Sequence, residues 1–193
     1  MKMLTAMLTL ALNLFLFPTT ASTQTERFCQ GLEATILGTS GDDRIERGRD
    51  DDDVYIMLGG YDYVVAGHGD DMVCGNGGHD NLRGKNGNDI LRGGGDNDVL
   101  VPMSGRDAAY GGAGDDFITG GHGRDVLHGG PGHDELYDAD GQDILRGRWA
   151  RDELTAWDGE PGDILDGGRG YDRCRGDEGD TILRCETDEF PEE

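Results

Sequence analysis

Aspartate recurs along this chain at a nearly fixed interval of nine residues, and no other feature restricts its fold so tightly. A typical unit carries glycine or asparagine at its first, second and fourth places, aspartate at the sixth and an apolar residue at the eighth. On this alignment the sixth places are Asp43, Asp52, Asp62, Asp71, Asp80, Asp89, Asp98, Asp107, Asp116, Asp125, Asp134, Asp143, Asp152, Asp163 and Asp172. The eighth places keep step: Ile45, Val54, Val64, Val73, Leu82, Leu91, Leu100, Ala109, Ile118, Leu127, Leu136, Leu145, Leu154, Leu165, Cys174 and Leu183. The reading needs one extra residue near Ile56 and two near Ala156-Trp157. A fixed period of this kind is the signature of a repeat architecture, in which one unit cannot bury its apolar face alone and stacking supplies the core.

Each unit divides into a tight turn and a short strand. Turns such as Gly75-Asn76-Gly77-Gly78 use residues that tolerate positive φ. The triplet that follows, for example Asn81-Leu82-Arg83, alternates, so its apolar middle residue points inward. Two units make a coil of 18 residues, with strands stacked in parallel on two faces. The expected fold is therefore all-β: a parallel β-roll, a right-handed β-solenoid. Glycine density excludes long helices, and a propeller needs longer strands. Residues 18 apart should be neighbours, which places Asp80 beside Asp98, Asp89 beside Asp107 and Asp98 beside Asp116. At a strand spacing of roughly 4.8 Å, two bare carboxylates repel by about 3 kcal/mol at an effective dielectric near 20. Such a ladder should not close without cations.

Composition supports a metal or a basic partner as the counterpart. Acidic residues number 40 against 17 Lys and Arg, a formal charge of -23, which repels nucleic acid and anionic membranes. Only 35% of residues are hydrophobic, so without the period the chain would read as disordered. Met1-Lys2, an apolar run over residues 3 to 17, Pro18 and the small residues Thr19 to Ser22 read as a secretory signal peptide over 1–21. No membrane span is expected in the mature chain. Export favours disulfides among the four cysteines. Cys174 and Cys185 lie close in sequence, leaving Cys29 and Cys74 as the remaining pair. The domain expectation is an N-terminal cap over 22–37, the roll over 38–184 with an irregular turn near 149–161, and an acidic tail over 185–193.

The units Gly111-Gly112-Ala113-Gly114-Asp115-Asp116-Phe117-Ile118-Thr119 and Gly120-Gly121-His122-Gly123-Arg124-Asp125-Val126-Leu127-His128, with the opening Gly38-Thr39-Ser40-Gly41-Asp42-Asp43-Arg44-Ile45, resemble the RTX, or haemolysin-type calcium-binding, repeat family. That resemblance implies a calcium-stabilised β-roll with several Ca²⁺ ions held between turns of successive coils. Calcium prefers six to eight oxygen ligands, which carboxylates and backbone carbonyls supply. The candidate metal ligands are Asp43, Asp52, Asp62, Asp71, Asp80, Asp89, Asp98, Asp107, Asp116, Asp125, Asp134 and Asp143, with Gly78, Gly87, Gly112, Gly114, Gly121, Gly123, Gly130 and Gly132.

Several units depart from the pattern. Pro102 and Met103 take first and second places, Ala150 and Pro161 take fourth places, and Thr181 stands for the aspartate of the last unit. Other chemistries find little support. The five histidines read as exposed turn residues and form no H-E-x-x-H zinc motif. No G-x-S-x-G occurs, the G-x-G-x-x-G-like strings open no helix, and the scattered arginines make no nucleic-acid groove. The run Asp50 to Asp53 reads as a solvated charge cluster or an enriched ligand site, and Trp149 and Trp157 as packing over a bulge or a sugar platform. The expectation is a secreted, monomeric, non-enzymatic calcium-binding protein; the alternative is a calcium-dependent adhesion or polysaccharide-binding module at a cell surface.

Overall fold

A computed structural model describes residues 28–46, 48 and 50–186. The expected signal peptide, residues 22–27 of the cap and residues 187–193 of the tail lie outside the described residues. Every regular element described is a strand, and two long parallel sheets carry the architecture. One begins at Ile36–Leu37 and runs through Val54–Ile56, Met72–Gly77, Ile90–Gly95, Ala108–Ala113, Val126–Pro131, Ile144–Trp149 and Ile164–Arg169 to Thr181–Leu183. The other begins at Arg44–Ile45 and runs through Tyr63–His68, Asn81–Asn86, Val99–Gly105, Phe117–Thr119, Glu135–Asp138 and Glu153–Ala156 to Arg173–Gly176. Neighbours are 18 residues apart through most of the roll, as in Leu100↔Leu82 and Leu127↔Ala109. The chain thus alternates between sheets every nine residues, as the period predicts.

Eighth-place side chains meet between the sheets. Val64, Val73, Leu82, Leu91, Leu100, Ala109, Ile118, Leu127, Leu136, Leu145, Leu154 and Leu165 are fully buried in a single file. Many of the flanking residues stay half exposed, since successive side chains in a strand point to opposite faces, whereas Val65, Met72, Cys74, His128 and Asp166 are buried. Pairing extends further than the triplet. Asn81–Asn86 is a six-residue strand whose Lys85 and Asn86 pair onward with Met103 and Ser104, so the first half of each turn also stacks.

Register corrects the alignment at both ends. Tyr55, not Val54, pairs with Val73, so the extra residue lies before Asp53 rather than near Ile56. Tyr55 is completely buried and its hydroxyl donates to the Ala66 carbonyl at 3.1 Å. Burying this large ring with its hydrogen bond satisfied selects the register in which Asp52 is displaced outward. At the other end Ile182, not Leu183, pairs with Leu165, and Asp180, not Thr181, takes the sixth place of a shortened unit. The two extra residues expected near Ala156-Trp157 are present, since Leu145 pairs with Leu165, 20 residues on. Within residues 149–161, Trp149 ends a regular strand and Glu153–Ala156 is another, and the longer break in strand pairing runs from Trp157 to Asp163.

Both disulfides form as paired in the sequence reading, Cys29–Cys74 and Cys174–Cys185. An antiparallel hairpin, Phe28–Cys29 with Leu32–Glu33, is tied by the first to the nine-stranded sheet. There Cys29, Ile56, Met72 and Cys74 form a small second apolar cluster. Cys174 reaches inward at an eighth place but is only half-buried, packed against the end of the core.

Candidate metal centre

Sixth-place aspartates form two columns, one along each long edge of the roll where the chain crosses between sheets. One column holds Asp43, Asp62, Asp80, Asp98, Asp116, Asp134, Asp152 and Asp172; the other holds Asp53, Asp71, Asp89, Asp107, Asp125, Asp143, Asp163 and Asp180. Each rung has the same geometry. The backbone N–H of one aspartate donates to the Oδ1 of the aspartate one coil later, for example Asp80 to Asp98 at 2.8 Å and Asp89 to Asp107 at 2.7 Å. From Asp62 to Asp172 these residues are at most 3% exposed.

The second carboxylate oxygen is the informative one. Oδ2 of Asp53, Asp62, Asp71, Asp80, Asp89, Asp98, Asp107, Asp116, Asp125, Asp134, Asp152, Asp163 and Asp172 is buried and has no hydrogen-bond partner. A buried, unpaired carboxylate oxygen is costly, and one such atom repeated every nine residues marks a missing counterpart common to all of them. The electrostatics agree. Burial first, and the neighbouring ladder carboxylates next, push the Asp98 carboxyl up to about 8, against the opposing effect of its hydrogen bond from Asp80. Asp80, Asp89, Asp134, Asp143 and Asp152 are raised to about 7 and Asp71, Asp107 and Asp116 to about 6, burial again being the main cause.

Backbone carbonyls crowd the turns as well. All eight candidate glycines have positive φ, from 102° at Gly78 to 149° at Gly132. A Cβ on any of them would overlap the carbonyl oxygen of the residue one coil earlier, such as that of Gly60 against Gly78 or Gly69 against Gly87. Glycine is required there by both conformation and closeness of approach. Carboxylate and carbonyl oxygens without thiolate or imidazole suit a hard cation such as Ca²⁺.

Of the twelve candidate aspartates, eleven stand in the columns, ten of them buried and Asp43 half-buried. Asp52 does not. It is exposed and belongs to a second, outer ladder of fifth-place residues, where its Oδ1 accepts from the Asp70 N–H. On that edge the ladder continues with Asp70 accepting from Asn88 and Asn88 from Arg106; its counterpart on the other edge has Asn97 accepting from Asp115 and Asp115 from His133. His79 and His133 cap the N–H groups of Asn97 and Arg151 in the same way through Nδ1. The sequence reading missed this ladder, although its signal was present: fifth places are rich in Asp, Asn and His, whose short polar side chains reach backbone N–H groups. It also missed Asp53 and Asp180, through register, and Asp138.

One histidine departs from expectation. His128 is 7% exposed, not an exposed turn residue: it follows the eighth-place Leu127 on the outer face of a strand, where neighbouring side chains cover it. There it stacks on Tyr110, and Arg148 Nε donates to its Nδ1 at 3.3 Å. Burial, then Arg148 and Arg146, lower its pKa to about 4. Among the described residues no helix is long and apolar enough to cross a membrane.

No curated protein matches the chain. A family model described as the RTX calcium-binding nonapeptide repeat (4 copies) matches residues 35–56, 58–82, 75–108, 103–136 and 128–160, and those segments contain most of both aspartate columns. The stacked nine-residue units, the recurrent buried carboxylates and this match together make the chain a member of the RTX calcium-binding nonapeptide repeat family.

Proposed function

We propose that this protein is a secreted, non-enzymatic calcium-binding rod in which ion binding and folding are a single event. Family membership implies calcium binding; export and coupling are the further steps. The observation that carries coupling is the repeated buried Oδ2 without a partner. The core is a single file of one apolar residue in nine, which is little area to offset chain entropy. Against it stand two columns of like charge. The sixth-place carboxylates and the turn carbonyls would hold the ions, with Oδ1 already committed to orienting each carboxylate and Oδ2 left for coordination. Bound calcium supplies positive charge and accepts six to eight oxygens, so its binding free energy becomes folding free energy.

Circular dichroism of the mature chain in chelator and in millimolar Ca²⁺ tests this. A β signal that appears with calcium is the expected result; an identical signal in chelator refutes coupling. Export is supported by the basic start, the apolar run and the two disulfides. N-terminal sequencing of the mature protein tests it, with cleavage near Ala21 expected.

A calcium-dependent adhesion role is favoured by one local feature. Arg146, Arg148, Arg169 and Arg184 converge with half-exposed Trp149 around a shallow cleft whose single acid, Asp166, is bonded by Arg184. This basic spot on an acidic rod suits an anionic polysaccharide, with the indole as a sugar platform. Retention of uronate or sulfated glycans in calcium, lost in Arg148→Ala and Trp149→Ala, would promote this reading; no retention would leave the rod alone.

A further inference from the structure

Asp138 breaks the repeat where the repeat is otherwise most uniform. It occupies a first place, and every other first place from Met57 to Gly167 is glycine or an apolar residue: Gly75, Gly84 and Gly93, for example, or Ala66 and Pro102. At Gly75, Gly84 or Gly93 a Cβ would overlap the Oδ2 of the same unit's sixth-place aspartate. Asp138 and Asp143 therefore contend for one space, and the Asp138 side chain turns toward the preceding coil. Its Oδ1 accepts from the N–H groups of Ala139 at 2.8 Å and Gly121 at 3.2 Å. Its Oδ2 lies over the Cα of Gly120, where a Cβ would collide with it and lie 2.8 Å from Asp125 Oδ2.

Three carboxylates meet as a result. One oxygen each from Asp125, Asp138 and Asp143 lie within 4.8 Å of one another. Asp138 is 8% exposed and the other two no more than 1%, and the Oδ2 atoms of Asp138 and Asp125 have no partner. Among the described residues none of the three makes an ion pair. Two oxygens on one Ca²⁺, each at about 2.3 to 2.6 Å, are separated by no more than about 5 Å. The triad therefore fits around a single ion, and it does so with one more negative charge than the regular coil-to-coil pair. Gly120 keeps the space open, since any side chain there would fill it.

We propose that Asp125, Asp138 and Asp143 form a three-carboxylate Ca²⁺ site, distinct from the regular turns and tighter than any of them, which is the first to fill along its column. The proposal rests on the calcium reading above and adds a residue outside the repeat pattern. Calcium affinity rises with the number of charged ligands in a rigid site. One carboxylate more, at the strength of a charged hydrogen-bonding ligand, corresponds to about 10- to 150-fold in affinity.

Isothermal titration of the full mature chain with Ca²⁺ alone, with Asp138→Gly and Asp138→Asn beside it, decides the matter. Asp138→Gly restores the residue that regular units carry, so the calcium-loaded roll should keep its β signal. The expected result is a tight class in the native chain, lost in both variants, with the weaker class unchanged. Binding by the native chain with no separate tight class, or unchanged binding in Asp138→Gly, overturns the proposal while leaving the calcium-coupled rod intact. Retention of the tight class in Asp138→Asn also overturns it, since the role would then be steric. Stronger binding in Asp138→Gly would mean that the triad is held together by a proton, and overturns it too. No binding by the native chain sinks both readings together.

Discussion

Asp98→Asn separates the two duties of a ladder carboxylate. The amide keeps an oxygen to accept from the Asp80 N–H, a bond of 2.8 Å, and removes the charge. Asp98 faces a carboxylate on either side, Asp80 and Asp116. At the coil spacing each pair is worth about 3 kcal/mol of repulsion at an effective dielectric near 20. Proton uptake relieves part of this, because burial and the neighbours already raise the Asp98 carboxyl to about 8. The new amide N–H groups also give the column donors for its unpartnered Oδ2 atoms. A net relief of about 1 to 3 kcal/mol in the metal-free roll is a reasonable scale. Calcium binding moves the other way, losing one charged ligand and about tenfold or more in affinity. The substitution should therefore stabilise the metal-free fold while weakening calcium binding. Circular dichroism in chelator, with the β signal induced by an excluded osmolyte, measures the first, and calorimetric titration the second. If Asp98→Asn shifts neither, or weakens both, the ladder is not a column of frustrated charge and the argument for coupling fails.

The same electrostatics fix a pH response. Ladder carboxyls are raised in the folded state, so the metal-free roll holds more protons than the unfolded chain; the stability this confers is complete below about 3.8 and disappears as pH rises through roughly 6 to 8. In chelator the β signal should grow on acidification below pH 6, and a chain that only loses structure in acid would contradict this. Gly87→Ala, at φ 133° and against the Gly69 carbonyl, should raise the calcium midpoint of folding by tenfold or more, whereas Gly77→Ala, which meets open space, should change it little; equal midpoints would show that coil approach is not limiting. Removing Cys29–Cys74, which spans 45 residues, should cost about 4 kcal/mol by loop entropy, read as a lower denaturation midpoint of the calcium-loaded Cys29→Ser, Cys74→Ser double variant; an unchanged midpoint would place the N-terminal hairpin outside the cooperative unit.

Most of the architecture was legible because the period does two jobs at once. Nine residues set the spacing of the turn glycines and of the inward apolar residue, so Leu82, Leu91 and Leu100 could be placed in the core without knowing the fold in advance. The errors fall where the period slips. Between Asp43 and Asp62 an extra residue can be absorbed either before or after the run Asp50 to Asp53, and residue types alone do not choose: Val54 and Tyr55 are both credible core residues. Packing chooses, because only Tyr55 inward fills the space and bonds Ala66. At the last unit, too, one missing residue leaves Thr181 and Leu183 looking right in sequence while Asp180 and Ile182 stand in register. Asp138 was illegible for a different reason. A first-place aspartate reads as one more degenerate glycine until the coil beneath it shows the carboxylates it meets.

The two ladders explain how a rod with so thin a core keeps its coils in register. Inner aspartates accept from the N–H of the coil before, as Asp98 does from Asp80; outer residues accept from the N–H of the coil after, as Asp70 does for Asn88. Each coil is thus held in both directions by side chains that lie beside one another in sequence, which is why Asp or Asn so often stands at the fifth place next to the sixth-place aspartate. The outer residues are exposed and cost little to order. Most of the inner ones are buried, from Asp53 to Asp172, and leave an oxygen unpaired at nearly every rung. A carboxylate at the inner edge is oriented only once the preceding coil presents its N–H, so each donor set comes into being when two coils stack and not before. The stability of such an array is a sum over neighbouring coils, and on the proposed coupling the term that joins them depends on the ion. The local polar chemistry specifies which coil sits against which; under the proposed coupling, the cation decides whether they stay together.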